Sequence, residues 1–419
     1  MLQQRQSEYF LTLWTVLIFI LYIFISPSIP LLRFYEILDI NNLFFYSFIV
    51  LITLYLITLI RQINIMKKNG LNMTAILTMV LFLAILLIQF SYYLSLDLNT
   101  DMVKNYFSRL FTNTLFASSL MFFLGLNINV LRNINSIDKI KKIIFFGFWL
   151  YILLILYGVI TNPFKSVFGL RIHYEPEFNY LNIADSFAIY SLLTITLIKK
   201  RGLQFLCFLI ALIASFVLAS RTSLVFLALS VTVYFLIIWL KKTKIKTNYL
   251  KMAKNFSLVM IIFISLIVVF VNYFNVELIT QSRLWNLISR GGEDSSLQVR
   301  FSLLNEGFGF LKQNWLLGSF GGEVYYLGPG TYIHNWLSFL GAYGIIPFIL
   351  SIIIMVLTTL KITKMFLKYS DDHIIGFLFV FNLFILLSIW FSRAYTYEFI
   401  WFILIAIPLY RRESKELKY

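Results

Sequence analysis

KKRGLQFLCFLIALIASFVLASRTSLVFLALSVTVYFLIIWLKK, residues 199–242, decides the architecture of the chain. Lys199, Lys200 and Arg201 stand at one end and Lys241 and Lys242 at the other, and only Ser220-Arg221-Thr222-Ser223 interrupts the apolar run between them. About 20 apolar residues cross a bilayer, so this run is about twice too long for one helix. The cation clusters at its two ends both belong on the face of the membrane where Lys and Arg accumulate. Two spans, 203–219 and 222–240, joined by a tight turn at Ser220-Arg221, satisfy both constraints. Arg221 is then left alone at the far end of the hairpin.

The same measure, carried outward from the hairpin, gives spans near 9–29, 37–60, 71–94, 106–131, 143–161, 179–198, 203–219, 222–240, 255–276, 333–360, 374–391 and 394–410. The expectation is an all-α membrane protein of about 12 transmembrane helices, one polytopic domain over residues 1–419 with both termini cytoplasmic. Alternate connections carry the cations: Arg61, Lys67 and Lys68; Arg132, Lys139, Lys141 and Lys142; Lys199, Lys200 and Arg201; then Lys241, Lys242, Lys244, Lys246, Lys251 and Lys254. Most of the 35 Lys and Arg fall on that side, and most of the 19 Asp and Glu on the other. The positive-inside rule makes the cationic side cytoplasmic. Arg171, Arg221, Arg300 and Arg393 then face outward and need a reason.

Composition agrees. The chain is 60% hydrophobic, 18% aromatic and 13% charged, against about 25% charged in soluble domains. The net charge of +16 is accounted for by the inner loops, which points to anionic membrane lipids and away from nucleic acid. Cys207 is the single cysteine, so there is no disulfide framework. The first apolar stretch, Tyr9 to Ile25, runs into Ser-Pro without a small-residue cleavage site and reads as a retained span.

One connection is long. Residues 277–333 contain Arg283, Arg290-Gly291-Gly292, an amphipathic stretch, Gly318-Ser319-Phe320-Gly321-Gly322 and Gly328-Pro329-Gly330. Leu297, Phe301, Leu304, Phe308, Leu311 and Trp315 recur at spacings of four and three, which predicts a helix lying on the outer interface or capping the bundle. Long loops in compact proteins are usually functional.

The chemistry-bearing candidates gather on this side. Arg221 is the cation at the hairpin tip; a snorkelling role is the plain alternative. Arg300 lies in the amphipathic stretch, within reach of Glu306 or Asp294, and Arg171 lies before the sixth span near Glu175 and Glu177. His334, one of 3 histidines, stands where the long loop meets the tenth span; His173 is also outside and His373 inside. A histidine near neutral pKa is the usual proton acceptor for a hydroxyl. No Gly-Lys-Ser/Thr follows the glycine-rich turn, no His/Cys cluster has metal-ligand spacing, and no Asp-x-Asp site is present. Outward-facing chemistry without metal or cofactor is the expectation.

Together these residues resemble the O-antigen polymerase and O-antigen ligase superfamily of polytopic bacterial glycosyltransferases. Ser220-Arg221-Thr222-Ser223-Leu224 resembles its Ser-Arg-Thr hairpin. Arg300, followed by Trp315-Leu316-Leu317-Gly318-Ser319-Phe320-Gly321-Gly322, resembles its outer-loop arginine and glycine-rich turn, with Trp-Leu-Leu where a proline is usual. His334-Asn335 with Leu337, Leu340, Gly341 and Gly344 is similar to its histidine motif, and Glu175-Pro176-Glu177-Phe178 to its Glu-Pro-Ser turn, with Glu177 for the usual serine.

The resemblance implies a GT-C-like architecture in the bacterial cytoplasmic membrane with an outward active site. It implies a substrate in which an oligosaccharide repeat unit is carried on undecaprenyl diphosphate. Arg221, Arg300 and Arg171 would bind the diphosphate and His334 would act as base, with Glu175, Asn335 and Tyr332 in support. A flippase and a chain-length regulator would be partners. Ligation of finished glycan to lipid A core or protein is the nearest alternative. A lipid-linked oligosaccharide flippase, and a transferase using Glu36 or Asp39, are the others.

Overall fold

In a computed structural model the described residues are 17–18, 72–95, 114–115, 117–131, 138–161, 180–218, 220–242, 295–328 and 333–411. Every regular element among them is a helix. In chain order these are α1 (Met73–Ser95), α2 (Ala117–Leu126), the single turn α3 (Ile128–Leu131), α4 (Asp138–Thr161), α5 (Tyr180–Leu197), α6 (Arg201–Val217) and α7 (Arg221–Lys242). They continue with α8 (Ser295–Asn314), α9 (Gly322–Leu327), α10 (Leu337–Tyr343), α11 (Ile345–Lys368), α12 (His373–Phe391) and α13 (Phe399–Leu409). Four of them, α1, α7, α11 and α12, are long and apolar enough to cross a membrane. The protein is therefore an all-helical membrane protein over its described part. The proposed spans at 9–29, 37–60 and 255–276 lie outside the described residues, apart from Leu17 and Ile18.

The 199–242 run does break in two, between Val217 and Arg221, and α6 and α7 pack on one another. At the bundle's centre α12 contacts α7, α5, α11 and α13. It is apolar all round, as a helix enclosed by other helices should be, and its Phe377, Phe381 and Phe384 are fully buried. By contrast α11 leaves Ile346, Ile349, Ile353 and Val356 exposed along one side, the face a lipid-contacting helix presents.

Two expected spans are built differently. The stretch 333–360 is not one helix. It holds α10, a break at Gly344, and α11, which runs on to Lys368. Gly344 has φ 81° and faces Gly318, φ 78°, which closes α8 by donating its amide to Asn314 O at 2.8 Å. Across the gap Ser319 N donates to Gly341 O at 2.7 Å and Ile345 N to Leu316 O at 3.3 Å. A Cβ on Gly318 would lie 2.5 Å from Gly344 N, and one on Gly344 2.5 Å from Leu316 O. Two backbones approach this closely only where neither carries a side chain. The stretch 394–410 is shortened in turn: Ser392 to Glu398 is not helical, and α13 has 11 residues.

Within α13, Pro408 offers no N–H to Leu404 O, four residues back. The hydroxyl of Thr78 on α1, which donates to Thr74 O in its own helix at 2.8 Å, also reaches that carbonyl at 3.2 Å. Lys361 Nζ donates to Pro408 O at 2.6 Å.

The amphipathic stretch is the helix α8, and only part of the expected stripe packs. Of the expected stripe Leu311 is buried, while Phe308 and Trp315 are exposed. Gly307, Phe310 and Leu311 face the protein instead. Gly307 lets Ile333 come closer than any side chain would permit, and Gly309 does the same for Tyr326. Spacing of large apolar residues did not mark Gly307 and Gly309, where these close contacts are made.

Charge divides the bundle into two ends. At one lie Lys141, Lys142, Lys199 and Lys200, around a single groove. There too Lys241 Nζ donates to Ser370 Oγ at 3.2 Å, and His373 Nδ1 lies 2.7 Å from Thr196 O. At the other lie the α6–α7 turn, the Gly318–Gly344 contact and the Ser392–Glu398 connection.

Gly318→Ala should lower the thermal midpoint in detergent. The left-handed backbone alone costs about 1–2 kcal/mol for an alanine, and the clash adds to it. Gly202→Ala is the control, since a Cβ there meets nothing within 4 Å; it should leave the midpoint unchanged or raise it. Equal midpoints for the two variants would refute the close-approach account.

Candidate functional site

Two polar constellations meet at the cation-poor end. The first starts at the α6–α7 turn. Ser220 is buried and Arg221, the first residue of α7, is partly exposed. Ser220 Oγ and Ser223 Oγ are 2.6 Å apart, one turn from each other, and the Ser223 hydroxyl donates to Asp185 Oδ1 on α5. Arg393, in the connection between α12 and α13, grips the same carboxylate with both prongs: Nε to Oδ2 at 2.7 Å and Nη2 to Oδ1 at 2.8 Å. Its Nη1 donates to Ser392 Oγ at 2.8 Å. Asp185 is 1% exposed and Arg393 8%. Charges taken so far from water persist only when paired and fully hydrogen-bonded, and a fork on a carboxylate with a hydroxyl beside it meets that demand. Arg393 thus has its reason: it is the partner of Asp185.

Arg221 is differently placed. It sits at the amino end of a 22-residue helix, where the macrodipole is already positive. The helix does not favour a cation there. Both favour an anion beside them.

The second constellation is the His334 turn. Ile333 and Trp336 are fully buried and His334 and Asn335 partly so. Asn335 caps the start of α10: its Oδ1 accepts from Leu337 N at 2.9 Å, and its carbonyl accepts from the Ser338 hydroxyl at 2.8 Å. Trp336 Nε1 donates to Ser351 Oγ at 3.0 Å and its ring stacks on Phe339 at 4.5 Å. Nδ1 of His334 is closed off from solvent.

One connection joins the two. Ser338 Oγ, bonded to the Asn335 carbonyl, also accepts from Tyr395 N at 2.8 Å. Tyr395 is two residues beyond Arg393, and its ring meets Tyr343 and Phe320 of the glycine-rich turn, at 5.6 and 5.9 Å. The Ser392–Glu398 connection therefore reaches the arginine hairpin through Arg393 and the histidine turn through Tyr395. Arg300 lies on α8. Arg171, Glu175 and Tyr332 lie outside the described residues.

Sequence reasoning passed over Glu323. It stands on α9, 2% exposed, and burial pushes its carboxyl up to about 8, with the Ile333 amide pulling back in part. Neither carboxyl oxygen completes a hydrogen bond among the described residues. The signal available was a lone acid in Gly321-Gly322-Glu323-Val324-Tyr325-Tyr326-Leu327.

Asp185→Asn leaves the Arg393 cation buried without its counter-charge, a loss of about 3–5 kcal/mol. Ser223→Ala removes one hydrogen bond, a loss of about 1 kcal/mol. Thermal unfolding in detergent should rank the variants in that order, and an unchanged midpoint for Asp185→Asn would mean that the pair does not hold the connection. Comparison of the chain with protein-family models, with curated proteins and with solved structures finds no match.

Proposed function

We propose that the chain is a glycosyltransferase of the cytoplasmic membrane that polymerises repeat units carried on undecaprenyl diphosphate into O-antigen, capsular or exopolysaccharide at the outer face. The observation that carries this reading is the shared connection. The Ser-Arg-Thr-Ser hairpin, through Asp185, and the His-Asn turn, through Ser338, about 110 residues apart in the chain, hold on to Arg393 and Tyr395, two residues apart. A cation site for a diphosphate and a base for a hydroxyl are what such a transfer needs in one place. The segregation of cations to the opposite end supports an outward orientation for this end.

In the reaction a sugar hydroxyl of the acceptor attacks the anomeric carbon of the donor. The bond from that carbon to the diphosphate breaks, and the diphosphate leaves with the electron pair. Arg221, backed by the α7 amino end, and Arg300 meet the charge that develops on it. His334 takes the hydroxyl proton as the new bond forms. Pre-activated donors of this kind already carry a good leaving group, so positioning and charge stabilisation supply most of what the protein must add.

Purified protein given lipid-linked repeat unit, without metal or nucleotide sugar, should build a ladder of longer lipid-linked glycans. His334→Ala should reduce it by at least about 10²-fold. Arg221→Lys and Arg300→Lys keep the charge and lose the fork, and should reduce it by at least about tenfold at normal membrane expression. Transfer only when lipid A core or a protein acceptor is added would make the chain a ligase. Movement of the lipid across a vesicle bilayer with no chemistry would make it a flippase and overturn the reading.

A further inference from the structure

Among the described residues two acids are buried deeply, Asp185 and Glu323. Asp185 is answered by Arg393 and Ser223. Glu323 is answered by no described charge. Its carboxyl lies against the Ile333 amide, which approaches without either oxygen closing a hydrogen bond. The next residue in the chain is His334, and its Nδ1 is closed off from solvent at the same turn. An unpaired carboxyl in an enclosed space is an expensive arrangement, because burial penalises the charged form and a neutral acid without an acceptor gives up its hydrogen bond. Such groups cluster where protons are handled.

Every element packed against α9 bears on its charge. Helix α8 carries Arg300, Glu306 and Lys312, and Glu306 and Lys312 are exposed. Helix α10 brings Tyr343, whose hydroxyl accepts from Gln89 Nε2 at 2.6 Å. On α9 itself Tyr326 is largely exposed and lies over Gly309. The turn brings His334.

We propose that Glu323 is a positioning residue that acts through the Ile333–His334 turn and sets how readily His334 takes the proton of the acceptor hydroxyl. The assignment rests on the glycosyl-transfer reading above. While Glu323 keeps its proton, no negative charge stands behind the turn and the imidazole stays neutral, ready to accept. Once Glu323 is ionised, its carboxylate favours the imidazolium, and His334 gives up the proton less readily between turnovers. Glu323 is not on the proton's path: the proton passes from the hydroxyl to His334 and from there to solvent.

Two measurements test this, one of them independent of activity. Folding raises the carboxyl from 4.5 to about 8, so the folded protein holds over that window a proton that the unfolded chain gives up. The stabilisation is full below about pH 4.5 and is lost as the pH rises through about 8. Thermal midpoints of the wild type should fall across that range, and those of Glu323→Gln should fall less. Equal slopes would overturn the assignment. In the ladder assay the wild-type pH profile should inflect near pH 8. Glu323→Gln, which is neutral at every pH, should lose the inflection, and Glu323→Asp should restore it. A Glu323→Gln profile that matches the wild type would overturn it as well. If the wild type makes no ladder, the glycosyl-transfer reading fails, and the midpoints alone decide whether Glu323 holds its proton.

Discussion

The fork between Arg393 and Asp185 is the interaction on which the cation-poor end depends. An arginine and an aspartate that are both almost inaccessible cannot drift apart without leaving a bare charge in an apolar interior. Their pairing therefore fixes where the Ser392–Glu398 connection runs relative to α5. Ser223, bonded onto the same carboxylate, and Ser220, bonded to Ser223, set the first turn of α7 against it. The hydroxyls add little energy each. Their effect is geometric: Arg221 is delivered at a fixed place by groups that do not themselves face any ligand.

From this anchor the other half of the site follows by backbone contacts. Tyr395 hands the connection to Ser338, Ser338 to the Asn335 carbonyl, and Asn335 caps α10. The paired glycines Gly318 and Gly344 then seat the end of α8 on the α10–α11 break. Tyr92 of α1 donates to the Gly318 carbonyl at 2.8 Å, so the turn after α8 is tied to a helix long enough to span a membrane as well. Trp315, Leu316 and Leu317, left exposed next to the lipid-facing side of α11, complete a surface suited to the membrane interface.

Much of this was legible from residue order. Cation placement gave the two ends, because burying a Lys in hydrocarbon is so unfavourable that sequence position betrays location. The length of the 199–242 run gave the hairpin, and the scarcity of Arg and His on that side of the sequence marked out Arg221 and His334. What escaped was anything decided by a partner remote in sequence. Arg393 looked like one more outward cation until Asp185, 208 positions away, was seen in its grip. The packing face of α8 was hidden because Gly307 and Gly309, which carry no hydrophobic signal, make its closest contacts. Glu323 was hidden because nothing in a run of small and aromatic residues says how deeply one acid will be enclosed.

The proline in α13 bears on how the chain enters a membrane. Eleven residues at 1.5 Å each reach about 17 Å, short of the hydrocarbon thickness, and Pro408 leaves the Leu404 carbonyl without its helical donor. An isolated α13 would present lipid with an open acceptor. The donor that reaches it is the hydroxyl of Thr78, shared with Thr74 O and synthesised more than three hundred residues earlier, and the Pro408 carbonyl is met by Lys361. The last described helix thus depends for its place on groups supplied by α1 and α11, and because it follows directly on the Ser392–Glu398 connection, what seats it also seats the link between the two constellations.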